Sequence, residues 1–123
     1  MPDNLKRNGK HIMMSVSKRF FTKSVIDDEN PETSYLYQTK KDGVDFSERL
    51  AEYKRGDFSF VGIRASVCLD IPHGGYTIIQ VVESPGVWGV ESDSDSDYIT
   101  SLYDDECNVL VSMLETMGIE VVD

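Results

Sequence analysis

Residues 58–71 read FSFVGIRASVCLDI and contain the clearest strand pattern in the chain. From Val61 to Ile71 every second residue is apolar, whereas Arg64 and Asp70 fall on the intervening positions. Successive side chains of a strand point to opposite faces of its sheet. The alternation therefore predicts a long strand with one buried face.

Two further strands are predicted directly after this one. The turn sequence PHGG at 72–75 separates it from YTIIQVVE at 76–83, and SPG at 84–86 separates that segment from VWGV at 87–90. Glycine and proline at these points are typical of tight connections between antiparallel strands. The three strands are predicted to form a β-meander.

The segments before residue 58 give weaker signals. Imperfect alternation predicts a strand within 11–26, and aromatic residues favour a short strand at 35–39. A helix over about 46–54 is predicted because Asp45 to Glu48 resembles a capping box, and Gly56 suits the helix end.

A long helix is predicted over about 97–117, followed by Gly118 and a short tail strand. The resulting fold class is α+β, with an antiparallel β-meander sheet of four to five strands and one face covered by the C-terminal helix. Residues 1–10 are polar and are expected to be flexible, and residues 11–123 are expected to form a single domain. The apolar residues that show the helical spacing are Ile99, Tyr103, Leu110, Met113, Leu114 and Met117.

The charge of the chain is strongly acidic and uneven. Its 123 residues carry a formal net charge of −10. Residues 65–123 contain twelve Asp or Glu and no Lys or Arg. Nucleic-acid phosphates and anionic membranes attract basic surfaces, so direct binding to either is not expected. The expected partner is a basic protein, in particular a nucleic-acid-binding one.

The sequence ESDSDSD at 91–97 and the helix after it supply the candidate binding residues. Alternating carboxylates resemble the start of a calcium loop, but an EF-hand needs glycine at its sixth position. Counted from Asp93 that position is Tyr98, and counted from Asp95 it is Thr100. No metal or cofactor is expected, although the stretch alone leaves cation binding open. Acidic residues also suit a helix N-terminus. The candidate partner-binding residues are Trp88, Glu91, Asp93, Asp95, Asp97, Asp104, Asp105 and Glu115.

Glu106 falls on the apolar side of the predicted helix, between Tyr103 and Leu110. A buried carboxylate is costly unless it finds a partner. Arg64 is the last cation of the chain and suits carboxylate pairing. An ion pair between Arg64 and Glu106 is therefore predicted where the helix crosses the sheet.

No catalytic residues are predicted, because the chain has no GxSxG, P-loop or GxGxxG motif. Cys68 and Cys107 are far apart in sequence, which favours reduced thiols. The N-terminus lacks the apolar run of a signal peptide. These features predict the cytoplasm of a host cell, with the oligomeric state left open.

Residues 84–98, SPGVWGVESDSDSDY, resemble a stretch in small uncharacterised acidic proteins of phages and other mobile elements. The shared features are Trp-Gly, an aliphatic residue and Glu-Ser-Asp-Ser, and the segment GDFSFVGIRA at 56–65 is similar to the upstream part of those proteins. The resemblance covers about residues 53–118. It implies a mobile-element origin and no defined activity.

Four functional hypotheses follow. The first is a non-enzymatic protein that inhibits a basic nucleic-acid-binding host protein, as anti-restriction or anti-CRISPR proteins do, with nucleic-acid mimicry as one possible mode. This hypothesis rests on analogy with other small acidic phage proteins. The alternatives are an antitoxin- or immunity-like protein that neutralises a basic toxin, a small enzyme of unrecognised type, and a structural or housekeeping protein of a virion whose charge serves solubility.

Overall fold

The structure is a computed structural model that describes residues 6–7, 10–11, 14–38 and 44–123. In chain order, its elements are β1 (Lys6–Arg7), β2 (Lys10–His11), β3 (Met14–Ser17), a 3-10 helix (Lys18–Phe20), β4 (Thr22–Asp27), a second 3-10 helix (Ser34–Tyr37), α1 (Ser47–Arg55), β5 (Phe60–His73), β6 (Tyr76–Glu83), β7 (Val87–Glu91), α2 (Ser96–Thr116) and β8 (Ile119–Val122).

The 14-residue strand β5 organises an antiparallel four-stranded sheet. β4 pairs with one of its edges, from Val61 to Ser66. On the other edge, β6 pairs from Ser66 to His73 and β7 pairs near Phe60. Since β7 pairs with β5 and not with β6, the two short strands lie end to end along the same edge. The predicted antiparallel α+β fold is confirmed, but β7 does not follow the strand order of a meander.

The α2 helix covers the face of the sheet that the alternation in β5 predicts to be buried. Ala65, Val67 and Leu69 of β5 form a core with Leu110 and Leu114 of the helix, and all five are almost completely buried. The surface of the sheet that carries Ala65, Val67 and Leu69 is called the α2 face. The opposite surface, which carries Arg64, Ser66, Cys68 and Asp70, is called the open face. Burial of apolar side chains against the α2 face anchors the helix.

An aromatic cluster covers the open face at the start of β5. Phe58 and Phe60 are buried with Leu36, and Leu50 and Tyr53 of α1 pack against them. The ring centroids of Phe58 and Phe60 lie 5.6 Å apart in an edge-to-face arrangement, which suits the quadrupoles of the two rings. Leu50 and Tyr53 thus form the inward side of α1, and Gly56 ends the helix in the left-handed conformation, with φ of 79°.

Two predictions for the N-terminal half are wrong in detail. The segment 34–37 is a 3-10 helix instead of a strand, because the Leu36 N–H bonds to the Thr33 carbonyl at 3.0 Å while its side chain enters the aromatic cluster. The strand predicted within 11–26 is interrupted at Lys18–Phe20. The part before this turn is β3, which pairs in parallel with the tail strand β8.

Residues 1–5, 8–9, 12–13 and 39–43 lie outside the described part of the chain, so the expected flexibility of residues 1–10 stays a prediction. Lys6–Arg7 and Lys10–His11 pair as a short antiparallel ladder. No helix of the described residues has the length and apolar character needed to cross a membrane.

Candidate functional site

The outer side of α2 carries four exposed carboxylates that point away from the core. They are Asp97, Asp104, Asp105 and Glu115, and together they are called the acidic face. The helix is anchored through Leu110 and Leu114 on the opposite side, which fixes the orientation of this face. From Asp97 to Glu115 the helix rises by about 27 Å.

None of the described Lys or Arg side chains forms an ion pair with the acidic face. Asp95 is the N-cap residue of α2, and its side chain is also exposed and makes no capping hydrogen bond. These five side chains therefore keep their charge available to a binding partner.

Glu91 and Asp93 have a different role, because Arg49 of α1 binds both of them. The Arg49 Nη2 lies 2.6 Å from Glu91 Oε1, and Nη1 lies 2.8 Å from Asp93 Oδ2. A second bond joins Nη2 to Asp93 Oδ1, and Nη1 also reaches Glu52 at 2.9 Å. The guanidinium stacks on Phe58, 3.6 Å from the ring centroid. Arg49 thereby attaches α1 to the end of β7 and to the loop that follows it.

Tyr35 completes this cluster by donating a hydrogen bond from its hydroxyl to Glu91 Oε2. The pKa of Tyr35 is raised above its ordinary value, mainly because the side chain is partly buried and also because it is hydrogen-bonded to Glu91. Hydrogen bonds from Arg49 lower the pKa of Asp93. The cluster of Tyr35, Arg49, Glu52, Glu91 and Asp93 is called the Arg49 clamp. It contains one cation and three carboxylates, so the corner remains acidic.

The clamp was not predicted from the sequence. Arg49 and Glu91 are separated by 42 positions, and no local spacing connects them. The only sequence signal was the i,i+3 relation of Arg49 to Glu52 on one helix. Among the candidate partner-binding residues, Glu91 and Asp93 are thus held in an internal network.

Trp88 lies on the open face of the sheet, where it packs flat over Gly62. A Cβ added to Gly62 would overlap the indole ring. The register of β7 against β5 shifts by one residue at this point, so that Trp88 and Gly89 together lie opposite Gly62. Gly89 adopts a φ of 73° there. The indole N–H donates to the Pro85 carbonyl at 3.1 Å, and 43% of the residue remains exposed. Trp88 can therefore contact a partner, but on a different side of the molecule from the acidic face.

The predicted ion pair between Arg64 and Glu106 is wrong. Arg64 alternates with Ile63 and Ala65, whose buried side chains contact α2, so the Arg64 side chain points to the open face. There its guanidinium pairs with Glu83 at 2.8 Å and lies 5.4 Å from the Trp88 ring. The Arg64 Nε is buried without a hydrogen-bond partner.

Glu106 is buried, as its position on the apolar side of α2 indicates, but its partners are neutral. Its Oε1 accepts hydrogen bonds from the Ser84 hydroxyl at 2.8 Å and from the Gly86 N–H at 2.7 Å. Ser84 in turn bonds to the backbone of Ala65. The carboxylate therefore fixes the connection between β6 and β7 against the middle of α2.

An open cleft of about 330 Å³ lies beside the clamp, lined by residues that include Tyr35, Trp88, Glu91, Ser94 and Tyr98. Two of its polar side chains are engaged in internal bonds, since Glu91 binds Arg49 and the Ser94 hydroxyl donates to the Glu91 carbonyl at 2.6 Å. Within the described residues, His, Cys, Asp and Glu side chains form no group of three or more that could hold a metal ion.

Comparison of the chain with protein-family models, with curated proteins and with solved structures finds no match.

Proposed function

We propose that this protein is a non-enzymatic binding protein that docks the acidic face of α2 on a basic surface of a nucleic-acid-binding host protein, and so inhibits that protein. The observation that carries the proposal is the set of exposed carboxylates along one helix, to which no described cation binds. Arrays of one sign of charge accelerate association with a surface of the opposite sign.

The spacing of the acidic face favours electrostatic docking over close imitation of a nucleic acid. Asp97 and Asp104 are separated by about 10 Å along the helix, and Asp104 and Glu115 by about 16 Å. Phosphates along one strand of a B-form duplex rise by only about 3.4 Å each. The acidic face therefore complements scattered Lys and Arg side chains better than it reproduces a phosphate backbone.

The test uses two variants with the same change in net charge. The first neutralises the acidic face by Asp97→Asn, Asp104→Asn, Asp105→Asn and Glu115→Gln. The control neutralises four exposed carboxylates elsewhere on the molecule by Asp27→Asn, Glu29→Gln, Glu48→Gln and Asp70→Asn. Each variant and the unmodified protein serve as bait in a host-cell lysate at low and high salt, and captured proteins are identified by mass spectrometry.

The expected result is a basic nucleic-acid-binding protein that the unmodified and control baits capture at low salt and that the acidic-face variant loses. High salt should weaken the capture, because surface charge interactions are screened. If both variants lost the captured protein equally, net charge alone would explain the loss, and the proposal would be contradicted. Recovery of a small basic toxin would indicate the immunity-like alternative.

A further inference from the structure

The β5–β6 hairpin carries the longest uncharged segment of an otherwise acidic chain. Residues 71–82, IPHGGYTIIQVV, contain no Asp, Glu, Lys or Arg, whereas the whole chain has a net charge of −10. β4 pairs with β5 only up to Ser66, so the part of the hairpin from residue 67 to residue 82 extends past it.

Apolar side chains on β6 are exposed on both faces of this hairpin. Tyr76 is 79% exposed and Ile79 is 68% exposed, and Ile78 and Val81 are also exposed. Isolated exposed apolar residues are common, but a contiguous run of them on one strand marks an interaction site.

The backbone of β6 has unpaired groups along its outer edge. Ser84 N–H bonds to the Ala65 carbonyl at 2.8 Å, so residues at even positions of β6 face β5 in the alternating antiparallel ladder. Thr77, Ile79 and Val81 then direct their N–H and C=O groups outward. The Val81 carbonyl accordingly accepts a bond from the Gln80 side chain at 3.0 Å. No described strand pairs with this edge.

The two edges of the hairpin differ in their protection against strand pairing. On the β5 edge, beyond Ser66, the outward positions include Asp70 and Pro72. A charge and a proline are the features that block pairing at exposed edges. The β6 edge has neither between Tyr76 and Val82.

We infer that a second copy of this chain pairs with the outer edge of β6 in antiparallel orientation, forming a two-fold dimer with a continuous sheet. A two-fold axis at Ile79 places residues 76–82 opposite the same segment of the other copy. Ile79 then faces Ile79, and Thr77 faces Val81, with their outward N–H and C=O groups paired. Six backbone hydrogen bonds would join the two strands at these positions.

Charge favours a second copy as the occupant. Two molecules that each carry −10 repel one another wherever carboxylates meet, as at the acidic face. The uncharged β6 segment avoids this cost, and Glu83 at its end is already paired with Arg64. The β6 edge is thus the surface at which copies can approach with the least repulsion.

The first test measures the oligomeric state by sedimentation velocity from micromolar to near-millimolar protein. The full chain should shift from 13.9 kDa toward twice that mass as its concentration rises. Ile79→Lys should abolish the shift, because it places two like charges directly opposite one another. Val25→Lys is the matched control, since Val25 is 56% exposed on β4 at the other edge of the sheet and receives the same charge. It should dimerise as the unmodified protein does.

Loss of the dimer in Ile79→Lys cannot result from greater overall repulsion, because the lysine reduces the net negative charge. Circular dichroism checks that the variant folds. Thr77→Pro provides a second variant, because it removes an outward N–H at a position opposite Pro72 and adds no charge. It should weaken the dimer as well.

The second test follows amide hydrogen exchange by NMR at low and high protein concentration. Amides of Thr77, Ile79 and Val81 should become protected as the dimer forms, while those of Ile78 and Gln80 are protected at every concentration. A protein that stays monomeric, a dimer that Ile79→Lys leaves intact, or a dimer without this alternating protection would each overturn the inference. These tests involve no residue of the acidic face, so their outcome is independent of the proposed function.

Discussion

Glu106 shows how one buried polar side chain can fix the packing of three elements. Its Oε1 binds Ser84 and Gly86 in the β6–β7 connection, while the residue itself belongs to α2. Leaving a buried donor without an acceptor costs more free energy of folding than an ordinary hydrogen bond contributes. The stability of this region should therefore depend on an acceptor oxygen at position 106 more than on the charge.

Replacing Glu106 with alanine should lower the free energy of unfolding by about 3 kcal/mol, because the Ser84 hydroxyl and the Gly86 N–H lose their acceptor. Glu106→Gln retains an acceptor oxygen and should cost about 1 kcal/mol. Urea unfolding measures both values. Glu115→Ala on the exposed side of the same helix is the control and should change stability by less than about 0.5 kcal/mol. An equal effect of the alanine changes at 106 and 115 would contradict this account.

Gly62 leaves room for an aromatic ring, since Trp88 packs where a side chain at position 62 would lie. Gly62→Ala should displace the indole and destabilise the fold by about 1–2 kcal/mol through overpacking. Trp88 is the only tryptophan, so its fluorescence emission reports the displacement as a red shift. Gly75→Ala is the control, because its added Cβ meets no atom within 4 Å. It strains the turn but should leave the emission of the folded protein unchanged.

Among the secondary-structure elements, the Arg49 clamp joins α1 to the end of β7 and to the loop that follows it. The planar guanidinium binds Glu91 and Asp93 while stacking on Phe58, a combination that lysine cannot reproduce. The bonds to Asp93 lower its pKa in the folded protein. Because the pKa is lowered, this contact stabilises the fold fully at pH values above the ordinary pKa of the carboxyl. The stabilisation is lost as the pH falls through the lowered pKa.

Asp93→Asn should therefore reduce the free energy of unfolding at neutral pH by about 1 kcal/mol, a value limited by the solvent exposure of this pair. The difference from the unmodified protein should disappear well below pH 4, where both forms are neutral at position 93. Urea unfolding at several pH values measures it. Asp97→Asn is the control, because no described cation pairs with Asp97, and it should cause no such loss at neutral pH. A deficit for Asp93→Asn that persists in acid would exclude the ionic contribution.

Across the molecule as a unit, the unpaired carboxylates of the acidic face should oppose folding. Like charges on a compact surface repel, and the described residues provide no cation beside them. Asp93 does not belong to this group, since Arg49 binds it. Partner affinity and fold stability are thus predicted to respond in opposite directions to the same substitutions.

The triple variant Asp97→Asn, Asp104→Asn and Glu115→Gln should melt at the same temperature as the unmodified protein or a higher one at low salt. Added salt should stabilise the unmodified protein more than the variant, because screening removes the same repulsion. Differential scanning calorimetry at two ionic strengths measures both effects. A large drop in melting temperature would instead place these carboxylates in a stabilising network.

The sequence alone determined the features that depend on local periodicity. The alternation around Ala65 identified β5 and its buried face, and helical spacing identified α2 and the burial of Glu106. These predictions succeed because a period of two or of 3.6 residues decides which side chains share a face. The exposed positions of Asp97 and Glu115 follow from the same periodicity.

Only the tertiary structure decided which faces meet. It separated Arg64 from Glu106, joined Arg49 to Asp93, and placed β7 beside β5. A local period is compatible with many registers and strand orders, and it assigns no partner to a side chain. Those choices depend on packing and hydrogen bonding between segments far apart in the chain, which are satisfied together only in the complete fold.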